Sequence, residues 1–529
     1  MKKTIFCFRS KNLICAVISG LFFSGILLLG SQFEAYGKIG FSLVKNILLL
    51  FVLWIVTAAL IFAFLSVSFP KNDKTLTRSH CLTVFLLCLA ALEIVYLIIA
   101  LGVYPGFFAY DAPWQWDMYR THEITEHHPV LHTFIIGKLI SLGLRINGSA
   151  ELGIFFYTLF QSFVTAISFA YLFTYLYRRN ISGLSLVLTF LWMGFFPSID
   201  ILVMSTTKDC LFAPFCCILG VLSIELLTES DLFFSKIYRP VMWIISVVSC
   251  TILRNNAIYP MIAFLLVLIP LNVKVIKKYL IMLAVSSFLF LLYQGPFVHS
   301  VASPVSDNRE FLSVPIQQIM YVYTNEYDDL SDREKTMIET LFTEFGRENY
   351  NPKISDTPKS QLNYDYYKNN SSEVRRFYLE LGKEYPMDYF NAFGMLNYGF
   401  WYPCATLVTD SSGREAYAIC NCYEPFTMQS KLPVLQKYFS FFAGSDLVVR
   451  NNITKWLFSA GTYSCIFLFT FVLALIYKKK EVLALSFTFL FWLTFLLGPV
   501  VLIRYTAFIF YQIPLFVFMI HNIKTSSNS

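Results

Sequence analysis

The sequence predicts an all-α polytopic membrane protein with about twelve transmembrane helices and a mainly helical extracytoplasmic domain, on three observations. Of 529 residues, 56% are hydrophobic and 14% charged, and the mean hydropathy is +0.58. Apolar runs recur along most of the chain, many near the roughly 20 residues that a helix needs to cross a bilayer. Basic residues gather in short loops between alternate runs, as cytoplasmic loops do. Topology thus accounts for the net charge of +7, and no nucleic-acid partner is expected.

Met1-Lys-Lys, Arg9 and Lys11 precede an apolar run from about Leu13 to Gly30, which places the N-terminus in the cytoplasm. The run exceeds a signal-peptide core and lacks a small-x-small cleavage site, so an uncleaved helix is expected. Further helices are predicted near 43–67, 82–103, 152–177, 183–199, 210–228, 240–253, 257–271, 279–297, 456–477, 482–500 and 505–521. With that register Lys71/Lys74/Arg78, Arg178/Arg179, Lys236/Arg239, Lys274/Lys277/Lys278, Lys478 to Lys480 and Lys524 share the cytoplasmic side. The expectation is a multi-pass protein of the cell membrane, embedded in the lipid bilayer, with both termini cytoplasmic and its active face extracytoplasmic. Val130 to Leu144 does not fit as a crossing, because it would put Arg178 and Arg179 outside. Beginning after Pro129, it is expected to be a helix at the outer interface.

The chain divides into two N-terminal helices (1–81), a transmembrane core (82–298) whose first external loop is 104–151, a polar segment (299–455) and C-terminal transmembrane helices (456–529). The polar segment holds most of the acidic residues, with helix-like patterning in Asp332 to Phe345 and Glu373 to Tyr385 and turns in Tyr350 to Pro358. No fixed-period repeat or inverted duplication is evident. Cys404, Cys420 and Cys422 lie in the polar segment, an odd number without structural-zinc spacing.

Chemistry concentrates in the external loop. Asp111 follows the third apolar run, and Asp117, His122, Glu123, Glu126, His127, His128 and His132 come close behind, in a chain otherwise poor in charge. A solvated loop anchored by Trp114 and Trp116 is the plain alternative. Three cations fall on the same external side: Lys208 in Thr207-Lys-Asp209, Arg254 in Arg254-Asn-Asn256, and Arg504 in Arg504-Tyr505. Snorkelling accounts for any one of them. Together they offer a phosphate clamp, Arg by a two-pronged fork and Lys as a point charge. A carboxylate base beside such a clamp suits glycosyl transfer from a lipid phosphate. The acceptor hydroxyl loses a proton as it attacks, and the departing phosphate gains charge that cations stabilise. Asp111 is the candidate base. Glu93, near the middle of the third helix, is a second functional candidate or an interhelical contact.

Tyr104-Pro-Gly106, Asp111, Gln115-Trp116, His127-His128-Pro129, Thr207-Lys-Asp209, Arg254-Asn-Asn256 and Leu312 to Gln318 resemble, in that order, the pattern of an uncharacterised bacterial multipass membrane family. More broadly the chain is similar to polytopic glycosyltransferases of the GT-C type, which include protein O-mannosyltransferases and the aminoarabinose transferases of lipid A. The resemblance implies a GT-C-like core, a polyprenyl-phosphate-linked sugar donor, a cell-envelope glycan or related acceptor, and inversion at the sugar carbon. Asp111 would be catalytic. Tyr110, Gln115, Trp116, His127, His128, Lys208, Asp209, Arg254, Asn255, Arg504 and Tyr505 would bind substrate. The loop follows the third helix instead of the first, so two helices look added at the N-terminus. Tyr110-Asp111 replaces the acidic pair of many relatives, which leaves the cofactor open: a divalent cation between Asp111, Asp117 or Glu123 and the donor phosphate is the one candidate. No tight metal site is expected from the histidines. The alternatives are a polysaccharide polymerase or ligase, which would consume a pyrophosphate-linked glycan, and a lipid or glycan flippase, which would make no bond.

Overall fold

The protein is described by a computed structural model at residues 10–40, 43–67, 80–304, 309–342, 346–406, 418–444 and 451–527. Met1, Lys2, Lys3, Arg9, Lys71, Lys74 and Arg78, read above as topogenic charges, lie outside these residues. The described chain is helical and forms no sheet, only isolated bridges. Nine helices open it: α1 (Ser10–Tyr36), α2 (Leu43–Ser66), α3 (Cys81–Gly102), α4 (Ala112–Thr121), α5 (Val130–Asn147), α6 (Ala150–Arg178), α7 (Gly183–Phe195), α8 (Pro197–Met204) and α9 (Lys208–Thr228). Apolar helices follow at Tyr238–Leu253, Ile258–Leu268, Ile276–Leu292, Ala460–Ile476, Ser486–Phe495 and Ala507–Ser527. Eight helices among the described residues are long and apolar enough to cross a membrane, or nine if α7 and α8 form one bent span. The chain is a helical, membrane-associated protein.

Local chemistry sets the boundaries. Ser149, Ser182 and Thr207 cap α6, α7 and α9 by accepting backbone N–H groups of the first turn. Gly148, at φ +77°, closes α5 in the left-handed conformation that glycine adopts without strain. The single helix expected over 183–199 is instead two helices bent by 44°, because Pro197 restarts the chain as the first residue of α8. The last helices are also shorter at their starts than expected, beginning at Ala460 and Ser486.

The core forms around α9, which packs against α6, Tyr238–Leu253 and Ala507–Ser527 and is buried along nearly its whole apolar stretch. At one end of α9 stands Lys208. At the other, about 30 Å away at 1.5 Å per residue, Glu225 and Glu229 pair with Arg178 and Arg179 and Glu225 also meets Arg239. The basic residues Arg178, Arg179 and Arg239 therefore share the end opposite Lys208.

α5 forms over the stretch set apart in the sequence, and it is long and apolar enough to cross a membrane. Its place beside α6 is informative. His132, in its first turn, bonds Tyr157 at 2.7 Å, and Gly143, near its end, meets the backbone of Gly153. α3 ends at the same level, where Thr158 donates to the Pro105 carbonyl at 2.8 Å. Hence α5 runs beside only the first turns of α6. The remaining turns, Thr158 to Arg178, run alongside α3.

Residues 309–406 fold into short helices, among them Ser313–Asn325, Asp332–Leu341, Ser371–Glu384 and Pro386–Asn397, around Ile316, Met320, Ile338, Leu341, Val374 and Leu381. A reciprocal Ser331–Glu334 capping box starts the second of these. The last expected residues of that stretch, 343–345, lie outside the described set. Residues 419–431 then run back along the 101–110 loop, with Tyr423 N–H donating to Phe108 O at 2.9 Å and Gln429 N–H to Tyr104 O at 2.8 Å.

Candidate functional site

The 103–111 loop is tied to the 204–207 turn by backbone bonds, Phe107 N–H to Met204 O at 2.9 Å and Thr206 N–H to Phe107 O at 3.0 Å. Gln161 secures that turn from α6, its amide donating to Val203 O and Ser205 O, each at 2.8 Å. Such a brace is needed because α8 ends there, leaving carbonyls without helical partners. Gly106, at φ +113°, lies so close to Thr158 and the Met204 carbonyl that no side chain fits. This packing delivers Asp111 to the N-terminus of α9.

Four remote stretches then meet in one chain of alternating charge. Lys208 Nζ lies 3.1 Å from Asp111 Oδ2, and Arg504 lies 3.2 Å from the same oxygen. Arg504 also reaches Asp209 Oδ2 at 3.1 Å, and Arg254 reaches Asp209 Oδ1 at 2.6 Å. Side-chain exposure rises from 4% at Asp209 and 7% at Arg504 to 15% at Lys208 and 20% at Asp111, so the chain opens to its surroundings at the Lys208–Asp111 end. Aromatic faces complete the seat. Arg504 stands 4.5 Å over Tyr110 and 5.0 Å over Tyr505, and Arg254 stands 5.4 Å over Tyr505 and 5.2 Å over Phe495. The Nε of each arginine and the Thr206 hydroxyl are buried without a partner among the described residues.

Electrostatics follow from this geometry. Burial alone would raise the Asp111 carboxyl, but Arg504 and then Lys208 outweigh it and hold the group well below the usual carboxylate range. His128 Nδ1 sits 3.1 Å from Lys208 Nζ. Burial, reinforced by Lys208, pushes His128 down to about 3, so its ring is neutral near pH 7. As a neutral ring it accepts a hydrogen bond from the Lys208 ammonium at Nδ1.

The sequence-derived residues separate into two groups. Asp111, Tyr110, Lys208, Asp209, Arg254, Arg504, Tyr505 and His128 come together, with exposed His127 edge-on to His128 at 4.7 Å and Asn255 holding the Glu126 carbonyl at 3.1 Å. Gln115 and Trp116 do not. Gln115 is fully buried and engaged with His132 and Thr133 at 2.9 and 3.0 Å, and Trp116 stacks on Tyr119. Gln115 joins α4 to α5, and Trp116 packs against the apolar cluster that includes Ile136 and Ile140 of α5. Asp209, expected at the substrate, has both oxygens taken by arginines and aligns those guanidiniums instead. The three cations expected to form a phosphate clamp do gather in one place, and each faces a carboxylate.

A divalent ion does not fit as anticipated. Asp117 pairs with Arg120 on an exposed turn, both Asp111 and Asp209 face cations, and the described residues contain no group of three or more His, Cys, Asp or Glu able to hold an ion. His128 and His132 are separately engaged, with Lys208 and with Gln115 and Tyr157.

Sequence reasoning gave Gln161 no part in the site, since its neutral amide carries no anomaly of charge, and it did not reveal a cavity of about 230 Å³ beside His128, lined in part by Glu126, Asn255, Tyr293 and Gln294. The segments that carry the ion chain all lie within residues 104–527, which match a single protein family. The chain belongs to the family of unknown function DUF6020. The DUF6020 match begins at Tyr104, so α1, α2 and α3 precede it. No curated protein and no solved structure matches the chain.

Proposed function

We propose that the protein is a GT-C-like membrane glycosyltransferase that moves a sugar from a polyprenyl-phosphate donor to a cell-envelope glycan or related acceptor on the outer face. One observation carries this reading: Lys208, Asp111, Arg504, Asp209 and Arg254, from four distant stretches, form a continuous ion chain at the bundle end opposite Arg178, Arg179 and Arg239. By the charge bias of cytoplasmic loops, the arginine end faces the cytoplasm and the ion chain faces outward. Twelve crossings with cytoplasmic termini fit that arrangement, with α5 outside the count.

The donor phosphate takes the exposed end of the chain, where it competes with Asp111 for Lys208 and Arg504. Bidentate arginine contacts strengthen as the sugar–phosphate bond breaks and charge builds on the leaving oxygen. Displaced from its cations, Asp111 regains proton affinity and accepts the hydroxyl proton of the acceptor as that oxygen attacks the anomeric carbon. Residues 419–431, lying along the 101–110 loop, cover the site from the polar side.

The test is a pair of measurements on purified protein. Native mass spectrometry with undecaprenyl phosphate should show binding to wild type that Arg504→Ala removes and Asp111→Asn preserves or tightens, because a competing carboxylate is gone. Release of undecaprenyl phosphate from polyprenyl-phosphate hexoses should fall at least about 100-fold in Asp111→Asn. Full turnover in that variant, or no lipid phosphate bound by wild type, overturns the proposal.

A further inference from the structure

Beside the ion chain lies the cavity noted above. Its polar lining is Glu126, His128, Thr251, Asn255, Tyr293 and Gln294, and its apolar wall includes Ile258 and Phe290. The polar groups are built in. Glu126 is pinned through its backbone, N–H to Ser303 O at 3.0 Å and C=O from Asn255 at 3.1 Å, and its carboxylate accepts from Gln294 at 3.1 Å. Tyr293 is held by the Leu131 N–H, which donates to its hydroxyl at 2.9 Å. Tyr293 and Gln294 stand on a wide π-helical turn, Tyr293–Val298, that interrupts the helix and turns their side chains to the cavity. Such turns recur at functional sites.

The lining has a definite chemical preference. It offers a carboxylate, two amides, a phenol, a threonine hydroxyl and an imidazole, and among the described residues no cation lines it; Lys208 is bonded to Nδ1 of the His128 ring. A phosphate would meet Glu126 without a counter-charge, so the anionic headgroup belongs to the neighbouring ion chain. Neutral hydroxyls suit the cavity, because a carboxylate and amide oxygens accept from them while amide N–H groups donate. Aromatic and aliphatic walls suit the apolar face of a ring.

We infer that this cavity is the acceptor subsite and that it takes one uncharged pyranose ring, its hydroxyls held by Glu126, Asn255 and Gln294 and its face against Phe290 and Tyr293. The inference rests on the glycosyltransferase reading for its role, while the binding itself does not. His128 then adjoins both donor and acceptor, bonded to Lys208 and lining the cavity.

Saturation-transfer NMR of the full-length protein in detergent, with a panel of methyl glycosides (glucoside, N-acetylglucosaminide, rhamnoside), tests it. At least one should receive saturation from wild type, lose it in Asn255→Ala/Gln294→Ala, and lose it in Ile258→Trp, which fills the cavity without touching a polar group. Monodisperse size-exclusion elution and a melting temperature close to that of wild type report that the same variants are folded. No transfer to any glycoside from wild type, or transfer that survives Ile258→Trp, overturns the subsite. Lipid phosphate binding without glycoside binding sinks this inference alone; glycoside binding without lipid phosphate binding keeps the sugar cavity and sinks the donor reading.

Discussion

Two aspartates in one ion chain have different tasks, and burial separates them. Asp209 holds two arginines in a dry setting at 4% exposure, so its removal leaves two guanidiniums short of a counter-charge. Breaking a buried pair costs about 3–5 kcal/mol. Asp209→Asn should therefore lower the thermal unfolding temperature of the detergent-solubilised protein, whereas Asp111→Asn, at the wetter end, should lower it less and, on the proposed chemistry, lose turnover. Equal melting of the two variants would contradict this division. The charged members were legible in the sequence because charges at helix ends are rare in a chain with 14% charged residues. Their mutual pairing was not. Whether Arg254 faces a phosphate or Asp209 depends on a contact between residues 45 positions apart, which no local pattern encodes.

At the scale of elements, the site depends on the close fit of a loop, a helix and a turn. Gly106 brings the loop against Thr158 of α6 and the Met204 carbonyl at the end of α8, with φ at +113°. Gly106→Ala adds both a clash and backbone strain of order 1–3 kcal/mol. It should reduce stability and turnover together, and Thr158→Ala should restore only part of the melting temperature, because it relieves the clash and leaves the dihedral. Complete rescue would show that sterics alone matter. Helix positions along the chain were readable from apolar runs and caps, as α3, α6 and α9 illustrate. The break at Pro197 and the π turn at Tyr293 were not. The apolar run continues through both, and hydropathy does not register a change of axis.

Across the whole molecule, the N-terminal hairpin is joined to residues far along the chain. Glu34, near the end of α1, accepts from Tyr398 at 2.7 Å, from the Thr406 backbone at 2.9 Å and from Lys455 at 2.9 Å, and it also bonds the Thr406 hydroxyl. Lys455 is only 12% exposed. This tie crosses the start of the family match, linking an element that precedes Tyr104 to the segments around the site. Glu34→Gln and Lys455→Met should each destabilise the protein by about 1–3 kcal/mol. The double variant should lose less than the sum of the two, and strict additivity would show that the contact carries no coupling. Nothing in the local sequence marks Glu34, since its partners lie more than 360 positions away.

The alternating chain has a stoichiometric consequence. Three cations face two carboxylates, which leaves a surplus of one positive charge. A sugar-bearing phosphodiester brings one negative charge and makes the ensemble neutral. The monoester left after transfer carries about −1.5 to −2 near pH 7. On the proposed chemistry the spent carrier is thus gripped harder than the fresh one, and its departure, not bond formation, paces the cycle.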